Sequence, residues 1–276
     1  MAFVEFTNVG FSYSHNSPVL HSISFSIERT EHVMLAGTIG AGKSTALKLA
    51  VGLFAPDKGS IRVDGISPSI PSLYEIVKRI GVALQNPSDQ IFCSTVREEM
   101  LYGLRNLGAN ETSDTFQRTV ALFGFSRLLD KHPYDLHPAQ RRLLTIASAI
   151  AMNTPFYIFD EPTSGISKPE RESIVGALHQ LRIAGKGYML ITHDLAFGME
   201  HCDRILVFNK GILAVDESLP DFLQRENAQG ILKKNGLQMP IVPRMSAQLA
   251  QNTITAQYPD FISQLRQQQT SSKQAP

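Results

Sequence analysis

Short β-rich pieces separated by polar turns open the chain: "FVEFTNV" at 3–9, "LHSISFSI" at 20–27, "EHVMLA" at 31–36 and, further on, "GSIRVDG" at 59–65. Alternation of apolar and polar residues buries one face of a strand, so these pieces read as β-strands, an edge sheet set beside a larger core. Helical spacing in "GKSTALKLAVGLF" at 42–54 predicts a helix directly after the third strand, and "IGVALQ" at 80–85 predicts a further apolar strand. Between about 96 and 152 the strand signals vanish, and "VREEMLYGLRNLG", "TSDTFQRTVALFGF" and "AQRRLLTIASAIAM" all carry helical periodicity, as an inserted helical unit would. Strands then return in "FYIFD" at 156–160, "GYMLIT" at 187–192 and "RILVFNKG" at 204–211, alternating with helices such as "KPERESIVGALHQLRIAG". That alternation predicts a largely parallel α/β sheet. After about residue 225 Gln, Pro and Ser accumulate, ending in "QLRQQQTSSKQAP", which predicts a small appended segment and a frayed tail.

Composition narrows the picture in two respects. With 26 basic and 25 acidic residues the net charge is +1, which gives no concentrated basic face for nucleic acid, so none is expected as a partner. Cys93 and Cys202 are far apart and in no metal-ligand spacing, which fits a reducing cytosol better than a disulfide framework. The opening "MAFVEFTNVGFSYS" lacks the basic start and apolar core of a secretory signal, and no apolar run reaches the ~20 residues that cross a bilayer. Any work at a membrane is therefore expected to go through a partner.

"GTIGAGKST", Gly37, Thr38, Ile39, Gly40, Ala41, Gly42, Lys43, Ser44 and Thr45, fits the phosphate-binding loop pattern G-x4-G-K-[ST] and lies between a strand and a helix. The glycines let backbone N–H groups turn onto phosphates, Lys43 neutralises β and γ oxygens, and the Ser44 hydroxyl suits Mg2+. "FYIFDEPTSG" supplies a second half. Asp160, at the end of a buried apolar strand, suits the Mg2+ that bridges the phosphates, and Glu161 beside it is placed to polarise an attacking water, the need of phosphoanhydride hydrolysis.

With these motifs in order, the chain resembles an ATP-binding cassette (ABC) ATPase, the motor subunit of a transporter, over roughly residues 3 to 220. The resemblance implies a P-loop NTPase core with an edge antiparallel β-subdomain, an ATPase domain over 1–224 with a helical subdomain at about 86–152, and a C-terminal extension over 225–276. It also implies that Tyr13 in "GFSY" stacks on adenine, that Gln85 in "LQNP" touches Mg2+ and the transmembrane partner, and that His193 in "ITHD" contacts the γ-phosphate. Taken alone, Tyr13 would more often be an ordinary strand aromatic, Gln85 an ordinary strand end and His193 a satisfied polar residue; only their order within one pattern gives them these roles. "LQNPSDQIFCSTVREEMLYGLRNLG" and "ILKKNGLQMPIVPRMSAQL" are similar to segments of the cassettes of energy-coupling factor (ECF) transporters, which import vitamins or transition-metal ions. That narrower resemblance implies a peripheral place on the cytoplasmic face of a prokaryotic membrane. The implied partners are a second, paralogous ABC ATPase, an integral membrane scaffold and a solute-binding membrane subunit.

One stretch departs from the family. Its signature, Leu-Ser-Gly-Gly-Gln, reaches across a dimer to the partner's ATP from a helix N-terminus, and here Leu136, His137, Pro138, Ala139 and Gln140 stand in its place. His137 replaces the hydroxyl with a ring, Pro138 has no N–H to donate, and Ala139 adds a Cβ where backbone must come close. Proline in the first turn still favours a helix start, so the helix is expected to survive the loss of the anion site. Ser167 in "SGIS" stands where the family usually has an acidic residue. The reading is a Mg2+-dependent ATPase whose own phosphate loop is completed by another cassette's signature. The alternatives are an ATP-binding cassette that regulates with little hydrolysis, or a soluble ABC ATPase outside transport.

Overall fold

The computed structural model describes residues 2–14, 17–108, 111, 113–249, 254–257 and 259–263, and the expected frayed tail at 264–276 lies outside them. Two sheets form. β1 (Val4–Ser12), β2 (Pro18–Ile27) and β4 (Lys58–Val63) make a three-stranded antiparallel sheet in the order β2-β1-β4. β3 (His32–Gly37), β5 (Ile80–Ala83), β6 (Phe156–Asp160), β7 (Gly187–Ile191), β8 (Arg204–Asn209) and β9 (Ile212–Ser218) make a second in the order β5-β6-β7-β3-β8-β9, parallel except for β9. This is the α/β architecture with an antiparallel edge sheet that the sequence predicts.

The central strands β3, β6 and β7 of the larger sheet are covered on both faces, which is why they are almost wholly apolar rather than alternating. In β6, Phe156 and Ile158 join the cluster beneath the antiparallel sheet, while Tyr157 and Phe159 join the cluster on the helical side. The first cluster also takes Ala46 and Leu47 of α1 (Lys43–Ala50). The second takes side chains from α3 (Val96–Asn106), α4 (Asp114–Leu122), α5 (Pro138–Ala151) and α6 (Lys168–Ile183). α3, α4 and α5 all fall between β5 and β6 in the chain, and α5 packs on α3.

Three expectations need correction. α1 stops at Ala50 instead of running to Phe54, because Gly52 takes φ +77 and the chain turns there, leaving Leu53 and Phe54 exposed. β5 ends at Ala83, so Gln85 sits in the loop beyond the strand. The sequence reading also passed over β9 and the short helices α2 (Leu73–Val77), α7 (Leu195–His201) and α8 (Leu219–Gln224). Beyond α8, α9 (Ala228–Lys234) and α10 (Ile241–Leu249) form the appended segment, with Leu232 and Leu237 buried in the helical-side cluster. No helix among the described residues is long and apolar enough to cross a membrane.

Candidate nucleotide site

Parallel register brings the strand ends together. Leu35 and Asp160 both pair with Ile191, and Ala83 pairs with Phe159, so β3, β5, β6 and β7 deliver Gly37, Gln85, Asp160 and His193 to one carboxyl edge. Open α/β sheets bind ligands outside that edge, because the strands end there and loops diverge.

The phosphate loop depends on two glycines. A Cβ on Gly37 would lie 2.4 Å from the Phe208 carbonyl oxygen, and one on Gly42, at φ +101, would lie 2.5 Å from Leu20 Cδ2. A side chain at Gly37 would meet backbone and push the loop off the sheet, and one at Gly42 would be strained by the positive φ. Gly42 precedes α1 without a side-chain cap, so the first-turn N–H groups of the helix remain open to a ligand, and the helix dipole favours an anion there. Lys43 bends back over the loop and donates to the carbonyls of Gly37 (2.7 Å) and Thr38 (3.0 Å). Burial lowers its pKa from the ordinary value, opposed by the pull of Glu161 and Asp160.

Ser44 Oγ donates to Asp160 Oδ2 at 3.0 Å. Burial raises the Asp160 pKa, with the Ser44 hydrogen bond opposing. A hydroxyl and one carboxylate are hard oxygen donors too few to enclose an ion, which fits Mg2+, a cation that keeps waters and takes phosphate oxygens. Among the described residues no group of three or more His, Cys, Asp or Glu forms a metal cage.

Glu161 is buried and takes φ +51, a left-handed conformation that costs a non-glycine residue ~1 kcal/mol or more. Its amide donates to Ile191 O at 2.8 Å, continuing the β6–β7 pairing, and the turn swings its carboxylate onto the end of β7. There Oε1 accepts the His193 N–H at 3.1 Å and Oε2 lies 2.8 Å from His193 Nδ1, with Thr192 Oγ1 at 3.4 Å. Asp194 steadies the other flank by capping α7 through the Phe197 N–H at 3.0 Å and pairing with Arg171 at 2.9 Å.

A cavity of about 980 Å3 opens over this edge, lined by Gly37, Thr38, Ile39, Lys43, Gln85, Glu161 and His193. Tyr13 stands apart from the cavity lining, on the far side of Thr45, whose Oγ1 lies 3.1 Å from its hydroxyl. Its half-exposed ring packs edge-on against Phe11 and Phe54, forming an aromatic corner beside the loop.

The departures from the signature have a structural counterpart. Pro138 begins α5, and His137 caps it: His137 Nδ1 accepts the Ala139 N–H at 3.4 Å while Gln140 Oε1 accepts the His137 N–H at 3.1 Å. The amide that an anion would seek is taken by the chain's own imidazole. Ser167 is likewise the cap of α6, in a reciprocal box with Glu170.

The comparisons with known proteins agree with this fold. Residues 20–164 match the family model described as "ABC transporter". The Energy-coupling factor transporter ATP-binding protein EcfA1 of Oceanobacillus iheyensis is 32% identical, covering 92% of this chain and 91% of the relative. The chain belongs to the ABC transporter ATPase family. Within that family it is most like the ECF type. The EcfA1 protein of Mycoplasma pneumoniae is 31% identical over 95% of this chain and 94% of its own, while a relative from Pyrococcus horikoshii, 30% identical over 91% and 95%, is named only a putative ABC transporter ATP-binding protein. Among solved structures, cbiO1 from Clostridium perfringens, part of the transporter complex cbiONQ, shares the fold at a TM-score of 0.71 and 22% identity over 88% of this chain and 97% of that one. A cassette dimer bound to ADP and Pi does so at 0.71 and 24%, over 78% and 98%.

Two cationic residues near the site were missed. Arg142 of α5, half-buried, donates to Leu84 O at 3.3 Å beside the acids, and Arg244 of α10 lines the cavity. Arg142 lies two positions beyond the signature stretch, but nothing in the sequence aimed it at the end of β5. Arg244 carried no signal, being a lone charge in a polar tail.

Proposed function

We propose that this ABC ATPase is the energising subunit of an ECF-type import complex, working as a heterodimer with a second cassette and peripheral to a membrane scaffold and a solute-binding subunit on the cytoplasmic face. The observation that carries the reading is the asymmetry between the two ends of the chain's contribution. Its own catalytic edge has Lys43, Ser44, Asp160, Glu161 and His193 assembled, whereas the helix it would offer to a partner's ATP is closed by His137.

In this reading ATP lies on the phosphate loop, its adenine against Tyr13, with Lys43 and the α1 amides drawing the phosphate oxygens. Ser44, Asp160 and Gln85 would hold Mg2+, which when bound would offset phosphate charge. A water oxygen attacks the γ-phosphorus, the bond to the bridging oxygen breaks, and ADP leaves with that electron pair. Glu161 takes the water's proton and passes it to the products, and His193, joined to Glu161, keeps the carboxylate aimed and touches the γ-phosphate. The solute is a vitamin or transition-metal ion. A cassette that binds ATP with little turnover is the second reading, favoured by the same capped helix.

The test is Mg-ATP turnover by the purified chain alone and with a second cassette bearing an intact signature, with the dimer fraction recorded. Negligible turnover alone and Glu161-dependent turnover in the mixture support the heterodimer. Ordinary turnover by the chain alone overturns it, and no turnover in either supports the second reading.

A further inference from the structure

Part of the cavity lining comes from the appended segment, Gly236 to Ile241 and Arg244, far along the chain from the phosphate loop. Three contacts anchor this segment. Asn235, buried, accepts from Asn209 Nδ2 at the end of β8 (2.9 Å) and donates to Ile231 O (2.9 Å). Leu237 is buried in the helical-side cluster. Gly236, at φ +73, comes so near the loop that a Cβ there would lie 2.6 Å from Thr38 Cγ2. The segment then turns into α10, where the Arg244 N–H bonds to Pro240 O at 3.1 Å. The Arg244 side chain is exposed and has no ion pair among the described residues.

The charges around the cavity leave a use for it. Lys43 shares its charge with Glu161 and Asp160, and Asp194 is already engaged by Arg171. A bound nucleoside triphosphate brings several negative charges, more than one shared ammonium balances. A guanidinium presents a planar fork that suits two phosphate oxygens at once. Arg244 shares the cavity with Lys43, Glu161 and His193, assigned above to the phosphate oxygens, the attacking water and the γ-phosphate.

We propose that Arg244 supplies, from the same chain, a second cationic contact to the terminal phosphate of the bound nucleotide, which makes the segment from Gly236 to Arg244 part of the nucleotide site. The inference rests on the ATP-site reading.

The experiment is isothermal titration of the full chain with Mg2+ and either ADP or a non-hydrolysable ATP analogue, for wild type, Arg244→Ala and Arg244→Lys. Arg244→Ala is expected to weaken the triphosphate analogue ~10-fold or more while ADP changes less than about twofold, and Arg244→Lys to recover part of the loss. The melting temperature without nucleotide is expected to stay unchanged, since only the backbone of Arg244 is bonded. Equal affinities in wild type and Arg244→Ala overturn the proposal, as does an equal loss for both nucleotides, which is the mark of distortion. If the wild-type chain binds neither nucleotide, the ATP-site reading falls and this proposal with it; if wild type binds and Arg244→Ala matches it, only this proposal falls.

Discussion

Restoring the family signature by His137→Ser, Pro138→Gly and Ala139→Gly together tests the argument on which the heterodimer rests. The structure sets the cost. The His137 cap is a long bond of 3.4 Å, and serine is a good cap, so the first change is close to neutral or gains a few tenths of a kcal/mol. Pro138 leaves the first turn of α5, where its fixed φ helps, at a cost of ~0.5–1 kcal/mol. Ala139 is 4% exposed, so its replacement by glycine loses a buried methyl and helix propensity, together ~1–2 kcal/mol. The triple variant is thus expected to be destabilised by ~1–3 kcal/mol yet still fold. In exchange it supplies a serine hydroxyl and the residue-138 N–H that proline lacks, and removes the Cβ that blocks close approach; a donor of that kind lowers a barrier by ~2.7–4 kcal/mol, a rate gain of ~100-fold or more. The assay is phosphate release by the chain alone at saturating Mg-ATP and matched protein concentration, with Glu161→Gln added in the triple background. Unchanged turnover, with ATP binding and the ATP-dependent dimer intact, would refute the claim that residues 137–139 limit the homodimer.

Glu161→Gln in the native sequence, assayed beside an intact-signature cassette, is expected to retain ATP binding and lose turnover by ~100-fold or more, because a carboxamide takes no proton; turnover within about tenfold of wild type would remove Glu161 as the base. Asp160→Asn should abolish the Mg2+ dependence of nucleotide affinity, measured by titration with and without the ion. Because burial raises the Asp160 pKa, the neutral amide is also expected to hold or raise the nucleotide-free melting temperature. Burial, with Arg171 and Arg182 nearby, lowers the His201 pKa from 6.5 to about 4. The unfolded chain then takes up a proton that the folded chain refuses, so stability falls as pH drops through that window. Urea melts should show wild type losing roughly 3 kcal/mol relative to His201→Gln between neutral pH and the bottom of that window, and parallel curves would contradict the burial argument.

The phosphate loop, Asp160 and Glu161 were legible because their chemistry is local. A strand, a glycine turn and a helix follow one another in sequence, and both acids sit together at the end of one apolar strand, β6. Parallel register then needs no further information to bring them to one edge. The loop after β5 and the end of β7 were legible through resemblance, since nothing in "LQNP" or "ITHD" by itself requires Gln85 or His193 to face a phosphate. The overrun of α1 to Phe54 came from apolar spacing that continues past Gly52, where backbone conformation overrides periodicity.

Residue identity alone gave the fold class, and it carried the expectations of phosphate-loop chemistry and of residues 137–139 ill suited to an anion, because each follows from what a backbone or side chain can donate, accept or tolerate within a few positions. Tertiary structure decided the rest. It showed His137 consuming the helix-start amide, Glu161 held on His193 by a positive φ, and the appended segment reaching back over Thr38. These depend on side-chain direction and on contacts between residues distant in the chain, which long-range packing selects and local pattern does not encode.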